Sequence, residues 1–174
     1  PNQMVLFLVD GLTWRNPDSV PVDELQFHMY LNAFKDNKST FMKESGGVHR
    51  GNEAKDSNPW GGVNISSMRI ADDAGDFRPG IPFIANADLT DQIKFIQPDD
   101  GNVDDQTVFS VRLPRSVAPG ETIALDIAFE SKLPEVVART GWKMTESGSP
   151  FIFAGQWFPK IAVLEIPGQR YVPK

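Results

Sequence analysis

Leu25-Gln-Phe-His-Met-Tyr-Leu-Asn32 alternates without a break. Leu25, Phe27, Met29 and Leu31 fall on one side, and Gln26, His28, Tyr30 and Asn32 fall on the other. Successive side chains of a strand point to opposite faces, so eight residues at period two describe a strand with one buried face. Residues 122–129 repeat the pattern, with Ile123, Leu125, Ile127 and Phe129 on the apolar side. Two half-buried strands far apart in the chain need a common core, and antiparallel sheets supply one.

Working outward, residues 4–14 read as a first strand, interrupted at the hairpin-turn dipeptide Asp10-Gly11. Residues 60–70 read as a strand with Val63, Ile65 and Met68 inward and a bulge at Gly61-Gly62. Residues 92–97 and 107–113 form a hairpin across the acidic loop 99–105. Apolar runs at 151–153 and 161–164 complete the set. Helix signals are brief: residues 39–45 with Ser39 or Thr40 as N-cap, and residues 134–139, too short to anchor a parallel βαβ unit. The segment 72–82, rich in Asp, Gly and Pro, is a loop. The count comes to roughly eight to ten strands, without an internal repeat. The expected fold is all-β and mainly antiparallel, a β-sandwich or saddle-like sheet with little helix, forming one β domain over residues 1–174.

Composition agrees and excludes several functions. The chain has 174 residues, 40% of them hydrophobic, which suits one domain with a real core. Fourteen Gly and fourteen Pro are spread along the chain, as many turns between short elements require. The net charge is −6 and no basic cluster exists, which argues against a nucleic-acid partner. The opening apolar run, residues 4–9, is far too short for a membrane span. With no cysteine, disulfides and thiolate zinc sites are ruled out.

Catalytic signatures are missing from the chain. The two histidines, His28 and His49, have no second His at metal-ligand spacing, and H-E-x-x-H does not occur, so no metal ligand is assigned. There is no G-x-S-x-G, and no glycine pair opens a phosphate-binding helix. The loop Asp99-Asp-Gly-Asn-Val-Asp-Asp105 gathers oxygen ligands of the kind calcium takes, yet lacks the EF-hand spacing; a solvated hairpin tip explains the same residues. No catalytic residue is assigned.

The stretch Gly148-Ser-Pro-Phe-Ile-Phe-Ala-Gly-Gln-Trp-Phe-Pro-Lys-Ile-Ala-Val-Leu-Glu165 surrounds the single amide Gln156 with apolar residues. Such a segment is expected to be buried, and its amide must then find partners. A cleft wall and a core strand with one satisfied amide both fit.

The order of Leu12-Thr-Trp-Arg-Asn16, the alternating strand at 25–31, Val117-Ala-Pro-Gly-Glu-Thr-Ile-Ala-Leu-Asp-Ile-Ala-Phe-Glu130, Arg139-Thr-Gly-Trp142 and Gly155-Gln-Trp-Phe-Pro159 resembles the N-terminal β domain of M1-family, membrane-alanyl-aminopeptidase-type zinc metallopeptidases. The resemblance covers most of residues 12–165. It implies a non-catalytic domain, a fragment of a larger metallopeptidase, that caps the active-site cleft. The zinc helix, the Gly-x-Met-Glu-Asn strand and the catalytic Tyr would belong to the catalytic domain of the same polypeptide. Gln156 matches the Gln that binds the substrate's amino end in that family, which makes it the expected substrate-binding residue for a peptide. Trp157 and Phe158 would be domain-interface residues. Phe158 stands where the family often has Glu or Gln, and the basic pair that usually follows is missing. An extracytoplasmic or membrane-associated parent is compatible with the resemblance. The alternative from the residues themselves is a free-standing β-sandwich module that binds carbohydrate or protein through Trp60, Trp142 and Trp157.

Overall fold

The computed structural model describes residues 4–46, 48–49, 52–53, 60–71, 86–135 and 140–164. Two antiparallel sheets carry the fold. The first has the order β1 (Met4–Arg15), β8 (Thr122–Leu133), β5 (Gly62–Ile70). The second has the order β11 (Lys160–Ile161), β2 (Val22–His28), β7 (Val108–Val117), β6 (Ile93–Phe95). Two ribbons are added, β3 (Val48–His49) with β4 (Asn52–Glu53), and β9 (Thr140–Met144) with β10 (Pro150–Ala154). The sheets stay open and do not close into a barrel.

The chain passes between the two sheets in going from β1 to β2 and from β7 to β8, so neighbours in sequence line opposite walls of the core. Leu25, Phe27, Phe109, Val111 and Leu113 from one sheet share a single cluster with Val63, Met68, Ile70, Ile123, Leu125, Ile127 and Phe129 from the other. That shared cluster makes the pair a sandwich, as the alternation at 25–31 and 122–129 requires. Burying one Leu, Ile or Phe side chain contributes about 1.5–3 kcal/mol, so this face is the main source of stability.

Four local expectations are corrected. Asp10-Gly11 makes no turn: β1 runs through it, with Asp10 opposite Ile127 and Gly11 opposite Asp126. Twelve residues pairing along β8 outweigh the dipeptide's own preference. The strand at 25–31 ends at His28, and Tyr30–Phe34 closes into a 3-10 turn, yet Met29 and Leu31 stay buried as the alternation demands. The bulge in β5 falls between Ile65 and Ser67 rather than at the glycines. Finally, β7 continues past Leu113 through Pro114 to Val117. Proline cannot donate to the ladder, and the β2–β7 register shifts beside it, between Val22 and Glu24.

The glycine pair before β5 has a different task. A Cβ on Gly61 would stand 2.5 Å from Pro134 Cδ and 2.6 Å from the Lys132 carbonyl oxygen. Only glycine lets the backbone pass so close.

The short helix forms as read: α1 (Thr40–Ser45) begins at Ser39, whose Oγ accepts from Met42 N, and ends at Gly46 in the left-handed conformation. The loops 72–82 and all but the start of 134–139 lie outside the described residues.

The two outer edges of the first sheet differ. The edge of β5 is covered. Val63 N donates to Asn32 Oδ1 at 2.7 Å, Met68 N to Thr90 Oγ1 at 3.0 Å and Ile70 N to the Ala87 carbonyl at 3.0 Å. The edge of β1 has no backbone partner among the described residues beyond β8 and exposes Phe7, Leu8 and Val9.

Candidate functional site

Gln156 sits in the turn that leaves β10 and enters β11. It is half-buried, and its φ of 56° is left-handed. Among the described residues, no side chain or backbone group hydrogen-bonds its carboxamide. The peptide groups around it are fixed. Thr140 Oγ1 donates to the Gly155 carbonyl, and Ser131 Oγ donates to the Trp157 carbonyl at 2.7 Å. Sequence reading missed both hydroxyls. Ser131 had a signal, a polar residue between Phe129 and Leu133 on the buried face of β8; Thr140 had none.

Trp157 and Phe158, expected at a domain interface, are half-buried and packed on the chain's own core. The Trp157 ring lies 5.8 Å from Phe129, tilted 50°, and 6.0 Å from Phe158, near perpendicular. The exposed apolar surface lies just upstream. All five residues of β10 are exposed, with Phe151, Ile152 and Phe153 at 46%, 43% and 48%. The expectation that residues 148–165 are uniformly buried is therefore wrong at β10. Among the described residues its strand partner is β9, whose Met144 is also exposed while Trp142, opposite Ile152, joins the core cluster. Burial returns at Pro159.

His28 lies on β2, at the β11 edge of the second sheet. His28 stacks on Tyr30 at 4.9 Å, with Lys160 opposite it in the β2–β11 ladder. Burial, and then the Lys160 ammonium, holds its imidazole below the ordinary value against an opposing pull from Asp99. His49 lies in the β3–β4 ribbon. Among the described residues no three His, Cys, Asp or Glu side chains stand where they could hold a metal ion.

The acidic loop 99–105 is bound to the start of α1. Asp105 accepts from Thr107 N at 2.8 Å, from Thr107 Oγ1 at 2.5 Å and from Thr40 N at 2.9 Å. Asp100 accepts from Thr40 Oγ1 at 2.6 Å, and Lys43 Nζ donates to Asn102 Oδ1 at 2.8 Å. Burial pulls Asp105 upward, but the bonds from Thr107 and Thr40 outweigh it and hold the carboxyl below its ordinary range. Turn and cap chemistry thus accounts for these carboxylates.

Two hollows lie on the outer face of the first sheet, away from Gln156. One, of about 350 Å³, is lined by Phe7, Val9 and Ala128; the other, of about 410 Å³, by Trp60, Lys35 and Lys132. Asn64 and Glu130 line both, so the two adjoin. Trp142 is 5% exposed and cannot serve as a stacking platform.

No protein-family model matches the chain, and no curated protein or solved structure matches it either.

Proposed function

We propose that this chain is the non-catalytic β domain of an M1-like zinc aminopeptidase, bordering the active-site cleft and bringing Gln156 to the amino end of a peptide substrate. The observation that carries the reading is the position of β10. A strand exposing Phe151, Ile152 and Phe153 leads directly into Gln156. Contiguous exposed apolar surface marks a contact with another body, and here that contact adjoins an amide whose carboxamide has no hydrogen-bond partner among the described residues. The occupant of β10 is the catalytic domain, and the zinc is held there by residues outside this chain. Gln156 supplies a carbonyl oxygen for an ammonium and an NH2 for a neighbouring carbonyl, which suits a peptide terminus.

Two measurements test it. The purified 174-residue protein should retain no stoichiometric zinc and hydrolyse no aminoacyl-nitroanilide; chelator-sensitive turnover that survives further purification overturns the reading. In the zinc enzyme that contains this domain, Gln156→Ala should raise KM for short peptides, and unchanged kinetics overturns the role of Gln156.

The second reading is a binding module for carbohydrate or protein. The hollow beside Trp60, rimmed by Lys35, Asn64, Glu130 and Lys132, favours it. Retention on a polysaccharide column that disappears with Trp60→Ala would decide for this reading.

A further inference from the structure

A glutamine rarely adopts positive φ, because its Cβ crowds its own carbonyl there. The other described non-glycine residue in that region is Asn86, a type that tolerates it well. At Gln156 the conformation is held from both sides. The Gly155 carbonyl accepts from Thr140 Oγ1, and the Trp157 carbonyl accepts from Ser131 Oγ. The two donors are 2% and 0% exposed. Ser131 stands on the inward face of β8 between Phe129 and Leu133, where an apolar side chain would pack. A buried hydroxyl needs an acceptor, and the acceptors these two have are the carbonyls that bracket Gln156. Trp157, seated on Phe129, anchors the same turn from its other end.

We propose that Ser131 and Thr140 are positioning residues for Gln156. They hold residues 155–157 in a conformation that a glutamine would otherwise leave, and so fix where its carboxamide is presented. This rests on the reading of Gln156 as the group that meets the peptide's amino end. Strain at one residue persists only when its surroundings over-determine it, and two buried hydroxyls with a Trp packed on Phe129 meet that condition.

The test is thermal unfolding of the 174-residue protein. Gln156→Gly relieves the left-handed residue and should raise Tm by about 2–4 °C. With Ser131→Ala and Thr140→Val both present, the turn can relax and the gain should fall by at least half. If the double variant does not fold, each single variant should show a smaller reduction of the same sign. Thr140→Ser, which keeps the hydroxyl, should keep the full gain. A Gln156→Gly protein no more stable than the wild type overturns the proposal. So does a gain undiminished by loss of the hydroxyls, the additive result expected if they only support the fold. In the zinc enzyme containing this domain, Ser131→Ala should raise KM for short peptides while kcat holds. Thermal coupling together with unchanged KM would leave the clamp standing and overturn the amino-end reading of Gln156 instead.

Discussion

Phe27 and Phe109 face each other across β2 and β7 as direct register partners, with ring centroids 4.9 Å apart and planes within 3°. Both are fully buried. Phe95 on β6 meets Phe109 edge-on at 6.4 Å, so the rings continue across three strands of the second sheet. Phe109→Ala removes the central ring and leaves a void between well-packed neighbours, a change that costs about 3–5 kcal/mol. A domain of this size has roughly 5–15 kcal/mol in total. The midpoint of thermal unfolding followed by circular dichroism should therefore fall by on the order of 10 °C. Phe109→Leu should lose less than half as much.

Asn32 joins three elements with one buried amide. Its Oδ1 accepts from Val63 N at 2.7 Å, and its Nδ2 donates to the Gln106 carbonyl at 2.8 Å. The first bond covers the edge of β5, and the second ties the 3-10 turn to the approach to β7. Asn32→Asp keeps the shape but puts a carboxylate oxygen against a carbonyl in a site 2% exposed. The loss should be about 2–4 kcal/mol, read as a lower denaturant midpoint with unchanged slope. Stability within about 0.5 kcal/mol of wild type would show that the Nδ2 bond to Gln106 contributes little and that the site accommodates a carboxyl group.

Much of this fold is legible in the sequence, and the boundary is physical. Alternation is dictated by burial, so Leu25, Phe27, Ile123, Leu125, Ile127 and Phe129 were assigned inward and are inward. Local chemistry points to an N-cap at Ser39 or Thr40, and Ser39 supplies it. What failed depended on distant partners. Asp10-Gly11 is a turn dipeptide until β8 pairs with it, and β10 is apolar enough for a core that does not reach it. At the candidate site, Gln156 was singled out from the sequence, but its positive φ and the two hydroxyls behind it were not. Ser131 and Thr140 are 25 and 16 positions away, and only the packing of β8 and β9 brings them to the turn.

His28 makes stability depend on pH in a defined window. Its folded pKa lies below the ordinary value of about 6.5, first through burial and then through Lys160. The unfolded chain therefore takes up this proton before the folded one does, and stability falls as pH drops below about 6.5. Asp105 acts further down. Its carboxyl is held low by Thr107 and Thr40 against the opposing effect of burial, so it contributes fully above about pH 4 and loses that contribution as pH falls through its folded value. Tm measured from pH 7.5 to 4.5 should hold to about pH 6.5 and decline below it, and His28→Gln should flatten the decline that begins there. An identical slope in the variant would mean that other groups carry it.

The ribbon of β9 and β10 should behave as a contact surface and not as part of the core. Phe151 and Phe153 expose about half of their surface, and among the described residues their strand partner is β9. About half of each ring is buried, so Phe151→Ser/Phe153→Ser should together cost about 1.5–3 kcal/mol, less than Phe109→Ala costs alone. The same pair should sharply reduce binding of an apolar dye such as anilinonaphthalene sulfonate and lessen self-association at high concentration, because the exposed patch is the source of both. Core residues give the opposite pattern, since loss of Phe109 lowers stability and increases dye binding. A Phe151→Ser/Phe153→Ser protein that unfolds several kilocalories more easily would place β10 within the cooperative core, and the contact-surface assignment would fall with it.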